Sequence, residues 1–179
     1  MRPRETLTAF DHYLEALGLH FRGVVIGGAA LNLLGLVSRT TRDCDILDPV
    51  LPTDVLAAAS AFAAERRRLG EILDDGWLNN GPASLVRELP SGWRDRLAPA
   101  FAGQALVLTT LGRADLLRSK LLALCDRGID LADCLALAPA AGELAALLPW
   151  VEEQDLNPAW PDHVRATLAD LAQRLGHDV

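Results

Sequence analysis

Two carboxylates, Asp43 and Asp45, stand two positions apart, about fifteen residues after a glycine pair, Gly27-Gly28. In a strand, residues i and i+2 share a face roughly 6.5–7 Å apart. The two acids can therefore be aimed together at one divalent metal ion or at a pair about 4 Å apart. The glycines close an apolar, β-rich run, Gly23-Val24-Val25-Ile26. A sharp strand-to-helix turn of small residues leaves amide N–H groups exposed as an anion site. A phosphate-sized gap facing metal-ready carboxylates points to nucleotide chemistry. Close helix–sheet packing is the rival reason for the glycines. Arg39 and Thr41 continue the alternation, so one predicted strand face carries a cation, a hydroxyl and two metal ligands in a row. A solvated strand would alternate acids only for solubility, but Ile46 and Leu47 follow at once.

Lys120 is the next candidate. It is the only lysine among 17 Lys and Arg residues. Three-and-four spacing places it on a stripe reading Arg113, Leu117, Lys120, Leu124, Arg127. Between two leucines, its stem is expected to be buried with its head in a cleft, where it can reach a phosphate. Snorkelling at a core edge is the alternative. Asp126, Asp130 and Asp133 follow, with Asp130 placed as a helix N-cap, and these acids can also pair with Arg127 or Lys120. The histidines at 12, 20, 163 and 177 form no cluster, and no nucleophilic triad is suggested.

These residues need a sheet and helices to hold them. Periodicity and stop signals predict a helix from Thr6 or Thr8 to Leu17, a buried strand at 22–26 and a short helix from Ala29 to Leu36. A strand follows from Thr41 to Leu47, then a helix from Val55 to Arg68. The stretch from Glu71 to Gly103 is rich in turn signals, with short strands expected at Ser84–Leu89 and Ala105–Thr109. From Arg113 the pattern is helical: 113–127, 130–138, 142–152 and 162–175. The expected fold is α/β (α+β), with an α/β core over 1–112 and a C-terminal helical part over 113–179 packed on it, or one single domain.

Composition narrows the function. A formal net charge of −7 argues against bulk nucleic-acid binding, though not against a small local basic site. Cys44, Cys125 and Cys134 have no Cys-x-x-Cys spacing, so neither a disulfide framework nor a zinc site is expected. Residues 1–5 read as leading into a mixed polar helix and not an apolar leader, and no apolar run reaches about 18 residues, so a cytoplasmic protein without a membrane partner is expected.

Gly27-Gly28, a short helix, then Thr41-x-Asp43-x-Asp45 resembles the signature of the DNA polymerase β-like nucleotidyltransferase superfamily. Lys120, then Arg127, then Asp130 and Asp133, resembles the second half of a bacterial branch containing abortive-infection nucleotidyltransferase toxins. In that branch the arginine commonly adjoins the first aspartate; here Gly128 and Ile129 intervene. The resembling blocks cover about residues 22–48 and 105–140.

The resemblance implies a small mixed sheet flanked by helices, and a role for each matching residue. Gly27 and Gly28 would hold nucleotide phosphates; many relatives carry serine second, so Gly28 gives up a hydroxyl contact. Asp43 and Asp45 would bind Mg²⁺ or Mn²⁺, with Arg39 and Thr41 supporting that face or touching phosphate. Lys120 would neutralise charge on the nucleoside triphosphate. A third metal-binding acid is usual in the superfamily. The strand at 105–109 has none, which leaves Glu88 as the candidate. The implied reaction moves a nucleoside monophosphate from an NTP to a hydroxyl of RNA, a protein or a small molecule. A toxin restrained by an antitoxin-type protein partner is the corresponding biology. The alternative is a non-catalytic nucleotide- or partner-binding domain that keeps the fold. A dinucleotide-binding domain is disfavoured, because the run after Gly28 lacks the Gly-x-Gly-x-x-Gly fingerprint.

Overall fold

The computed structural model describes residues 1–177; the last two positions of the expected 113–179 segment lie outside the described residues. The chain divides into two compact units, Met1–Gly112 and the residues from Arg113 onward.

The first unit is α+β. Helix α1 (Pro3–Ala16) buries Leu7, Phe10 and Leu14 at helical spacing. It stops at Gly18, whose φ of 66° is a left-handed value that glycine adopts without a Cβ clash. Strand β1 (Phe21–Ile26) leads into α2 (Gly27–Leu33), then β2 (Cys44–Asp48) and α3 (Thr53–Arg68). A two-residue β3 (Leu78–Asn79) follows, then two short 3₁₀ helices (Ala83–Arg87 and Trp93–Arg96), β4 (Ala98–Ala102) and β5 (Leu106–Thr110). The sheet order is β3-β2-β1-β5-β4. Strand β1 pairs antiparallel with β2 and parallel with β5, β3 runs parallel to β2, and β4 antiparallel to β5.

The strand expected from Thr41 begins only at Cys44. Thr41 spends its groups elsewhere: its hydroxyl donates to the Asp43 carbonyl at 3.1 Å and its N–H to the Met1 carbonyl at 3.0 Å. Its own carbonyl accepts from the Met1 amino group, so this backbone does not join the sheet ladder. The strand expected at Ser84–Leu89 is instead the first 3₁₀ helix. There Ala83 N–H reaches the Asn80 carbonyl and Leu85 N–H the Pro82 carbonyl, so turn bonds continue in series.

One core feature sets the position of β3. Phe10, Phe62 and Trp77 form a buried aromatic cluster, with Phe10 and Trp77 edge to face at 5.1 Å between centroids. The Trp77 indole N–H donates to the Ala59 carbonyl at 3.1 Å, so this large side chain is buried with its polar atom satisfied. Its backbone carbonyl accepts from Cys44 N–H, which starts the β2–β3 pairing.

The second unit is all-helical: α4 (Arg113–Arg127), α5 (Leu131–Leu137), α6 (Ala141–Glu152) and α7 (Trp160–Arg174). Leu117, Leu121 and Leu124 of α4 are buried, as are Leu144, Leu147 and Val151 of α6 and Val164, Leu168 and Leu171 of α7. Arg113 donates to both oxygens of Glu143 at 2.9 and 3.0 Å and to the Leu137 carbonyl at 2.9 Å. One guanidinium thus joins the start of α4 to the end of α5 and the first turn of α6. No helix among the described residues is long and apolar enough to cross a membrane.

Candidate active site

The β1–β2 register explains why the glycines and the acids meet. Ile26 pairs with Asp45, and the chain turns at the next residue, Gly27, into α2. Gly27 has φ 73°, which a side chain disfavours. A methyl there would also sit 2.9 Å from Asp45 Oδ2. With no side chain at Gly27, that carboxylate oxygen lies directly against the backbone of the turn. At Gly28 a methyl would meet Thr41 Cγ2 at 3.0 Å and the Arg39 guanidinium at 3.6 Å. The structure thus brings Gly27, Gly28, Arg39, Thr41 and Asp45 to one corner.

Each wall of the corner has its own support. Asn32, on α2, donates to the Val37 carbonyl at 3.2 Å and the Arg39 carbonyl at 3.1 Å, which ties the loop bearing Arg39 to the helix that the glycines open. Arg39 is exposed and Thr41 is buried. Asp43 is half-buried and precedes the strand, held through its carbonyl by Thr41. Between the two acids, Cys44 is fully buried, and its thiol is pushed far up, first by burial and then by the charges of Asp45 and Asp43. Cys44 is therefore a protonated core residue near neutrality. Thr41 also lines an open pocket with Met1, Thr40, Arg42, Ile72 and Asp74.

Three residues at this corner were read in the sequence only as turn formers. Asn79 is the register partner of Asp45 on β3. Its Oδ1 accepts from Gly81 N–H at 2.6 Å, and a methyl on Gly81 would lie 2.8 Å from that oxygen and 4.0 Å from Asp45 Oδ1. Asn80 accepts from Leu51 N–H at 2.7 Å and donates to the carbonyls of Ile46 at 2.9 Å and Pro49 at 3.1 Å. This stitches the far end of β2 to the loop beyond it. The Asn79-Asn80-Gly81 run was the available signal, but only the register reveals its neighbour.

Glu88 occupies an exposed position just after the first 3₁₀ helix. Among the described residues no group of three His, Cys, Asp or Glu side chains could hold a metal ion. Mg²⁺ ordinarily takes one or two carboxylates plus substrate phosphates rather than an all-protein cage. Asp43 and Asp45, a donor set of that size, would be the residues to hold such an ion when it arrives with a nucleotide.

Lys120 lies in the second unit and is 6% exposed. Its stem is buried among α4 leucines, as the stripe predicts. Its ammonium stands 2.7 Å from Asp133 Oδ2 and 3.4 Å from Asp130 Oδ1, with Arg127 adding a contact to Asp130 at 3.5 Å. This is the ion-pair arrangement that the acids after α4 allowed. Burial raises the thiols of the nearby Cys125 and Cys134 to about 11 and about 12, so both stay protonated near neutrality.

No curated protein and no solved structure matches the chain significantly. A family model described as a nucleotidyltransferase of unknown function (DUF6036) matches residues 5–136, which span the glycine turn, both acid pairs and Lys120. The chain belongs to this nucleotidyltransferase family.

Proposed function

We propose that the protein transfers a nucleoside monophosphate from a nucleoside triphosphate to a hydroxyl acceptor. The observation that carries this reading is the close approach of the Asp45 carboxylate to Gly27, where a Cβ would stand 2.9 Å from Oδ2, with Arg39 and Thr41 against the adjoining Gly28. When bound by Asp43 and Asp45, Mg²⁺ or Mn²⁺ would offset triphosphate charge and favour ionisation of the attacking hydroxyl. The chain's own residues do the rest. Gly27 and Gly28 admit the phosphates close to the backbone, and Arg39 meets the charge that grows on the leaving pyrophosphate. The acceptor oxygen bonds to the α-phosphorus, the bond from that phosphorus to the bridging oxygen breaks, and the hydroxyl proton passes to solvent. The pocket beside Thr41 is the proposed entry for the acceptor. Lys120 is given no phosphate in this scheme, because Asp133 and Asp130 already take its charge.

Within the wider superfamily, the order Gly-Gly, Asp-x-Asp, Lys, Arg, Asp-x-x-Asp supports membership of the abortive-infection branch. That makes a toxin acting on an RNA or protein acceptor in the cytoplasm, restrained by a protein antitoxin, the favoured biology. Growth arrest on expression, relieved by Asp43→Asn or Asp45→Asn, supports it; harmless expression of demonstrably folded protein counts against it. A second reading, a nucleotide-binding domain without turnover, is favoured by the two-acid donor set. Purified protein incubated with Mg²⁺, each α-labelled NTP and a cell extract separates the two. Label transfer that disappears in both aspartate variants supports the enzyme. Retained nucleotide binding with no transfer to any acceptor supports the binding domain.

A further inference from the structure

We infer that Asn79 supplies a neutral third oxygen donor to the metal corner, beside Asp43 and Asp45. The inference rests on the metal-nucleotide reading of that corner and adds to it a residue from another strand. In parallel β2 and β3, register partners point their side chains to the same side of the sheet, and Asp45 is partnered by Asn79. Both side-chain oxygens approach the same glycine: a methyl on Gly81 would stand 2.8 Å from Asn79 Oδ1, too close to fit, and 4.0 Å from Asp45 Oδ1. Glycine at 81 is what allows the Asn79 oxygen to lie there.

The orientation of the amide is settled by its neighbours. Gly81 N–H needs an acceptor and finds Oδ1 at 2.6 Å, while Nδ2 donates to the Gly76 carbonyl at 3.3 Å. A carbonyl oxygen has two lone pairs, so the Gly81 bond leaves one for a cation. Hard divalent ions accept amide oxygens as well as carboxylates. Trp77, locked in the aromatic cluster, and Asn80, bonded to three backbone groups, hold the residues on either side of Leu78 and Asn79 in place. The donor is therefore on a rigid element, as a ligand should be. A neutral donor where a third acid would add charge makes a corner that takes one divalent ion weakly by itself and more firmly with a triphosphate.

Mn²⁺ titration followed by electron paramagnetic resonance, without nucleotide or turnover, tests this. Asn79→Asp keeps an acceptor for Gly81 N–H and adds a charge; it should tighten Mn²⁺ binding about 10-fold or more. Asn79→Ala changes no charge and should weaken binding by about 10-fold, the scale of losing an oriented donor. Circular dichroism and thermal unfolding verify that each variant is folded, and Asn79→Val, which also lacks an oxygen, replaces the alanine variant if that one is not. Folded Asn79→Ala (or Asn79→Val in its place) binding Mn²⁺ like the unmodified chain, or Asn79→Asp leaving the affinity unchanged, overturns the inference. Asp45→Asn in the same titration separates the two ideas: if it leaves Mn²⁺ binding intact, the metal corner itself fails. If it abolishes binding while the Asn79 variants have no effect, only the role of Asn79 fails.

Discussion

Asp43 with Asp45, and Asp130 with Asp133, are two acid pairs of similar spacing that the protein treats in opposite ways. At the second pair the chain provides its own counter-charge: the Lys120 ammonium lies 2.7 Å from Asp133 and 3.4 Å from Asp130, all within the helical unit. At the first pair a glycine with φ 73° stands against Asp45, and its missing Cβ is what lets the carboxylate lie there. The buried Lys120–Asp133 pair joins α4 to α5 within the helical unit. The Asp45 carboxylate instead lies against bare backbone at a strand-to-helix turn, the arrangement the proposed phosphate site uses. Acidic residues alone do not reveal a site; the size and charge of what stands against them do.

The comparison can be broken from either side. The largest effect is expected from Lys120→Met, which removes the built-in cation and leaves Asp133 charged and buried. The cost is about 4 kcal/mol of stability, read from urea unfolding, because breaking a buried pair from one side strands the other charge. An unchanged unfolding midpoint would show that the ammonium is not the counter-charge described here.

Asp11 sharpens the contrast as a third solution. Its buried carboxylate accepts from the N–H groups of Leu106 at 2.7 Å, Ala105 at 2.9 Å and Gln104 at 3.2 Å, so backbone amides replace a cation. Burial pushes this carboxyl up, but the three amides and nearby His12 outweigh it and its pKa is lowered. A lowered folded pKa gives stability that is fully present above the unfolded value, about 3.9, and is lost as pH falls through the folded one. Asp11→Ala should cost about 3 kcal/mol at neutral pH by leaving backbone N–H donors unpaired. It should also flatten the acid limb of the stability curve below about pH 4. An acid limb as steep as in the parent would assign it to other groups.

Gly27→Ala is the mirror of Lys120→Met, since it crowds a carboxylate rather than emptying a pair. The left-handed backbone and the contact with Asp45 should together cost about 2 kcal/mol, and Mg²⁺-dependent nucleotide affinity should fall while the metal-free fold persists. The smallest effect is expected at Arg39. Because it is exposed, Arg39→Ala should leave stability within about 0.5 kcal/mol and weaken triphosphate binding by about 10-fold, in the range of one charge-assisted contact.

These contrasts were only partly legible in the amino-acid sequence. Gly27, Gly28, Asp43 and Asp45 announce themselves because type and spacing are local, and the helices from Arg113 announce themselves by periodicity. Lys120 was half legible: the leucines on its stripe tell of a buried stem and Asp130 and Asp133 stood as possible partners of its head, but spacing alone did not choose between them and a phosphate. Strand β4 hid because Ala98-Pro99-Ala100-Phe101-Ala102 has no β-branched residue and carries a proline, which an edge strand tolerates. Strand β3 hid inside a run of turn residues, being only two residues long. Thr41 misled because an alternating pattern says nothing of a hydroxyl that bonds its own backbone two residues on. The place of Asn79 depends on the pairing of Asp45 across β2 and β3, a non-local choice made by the burial of Trp77.

The most direct test is equilibrium binding of a nucleoside triphosphate in the presence of Mg²⁺, by calorimetric titration, to the parent chain, Asp45→Asn and Asp130→Asn. Asp130 is the more distant partner of Lys120, so the second variant keeps the Asp133 pair. The account predicts that Asp45→Asn loses at least about 30-fold in affinity, or about 2 kcal/mol, while Asp130→Asn binds as the parent does. Asp45→Asn binding as tightly as the parent, or Asp130→Asn losing as much as Asp45→Asn, would contradict it.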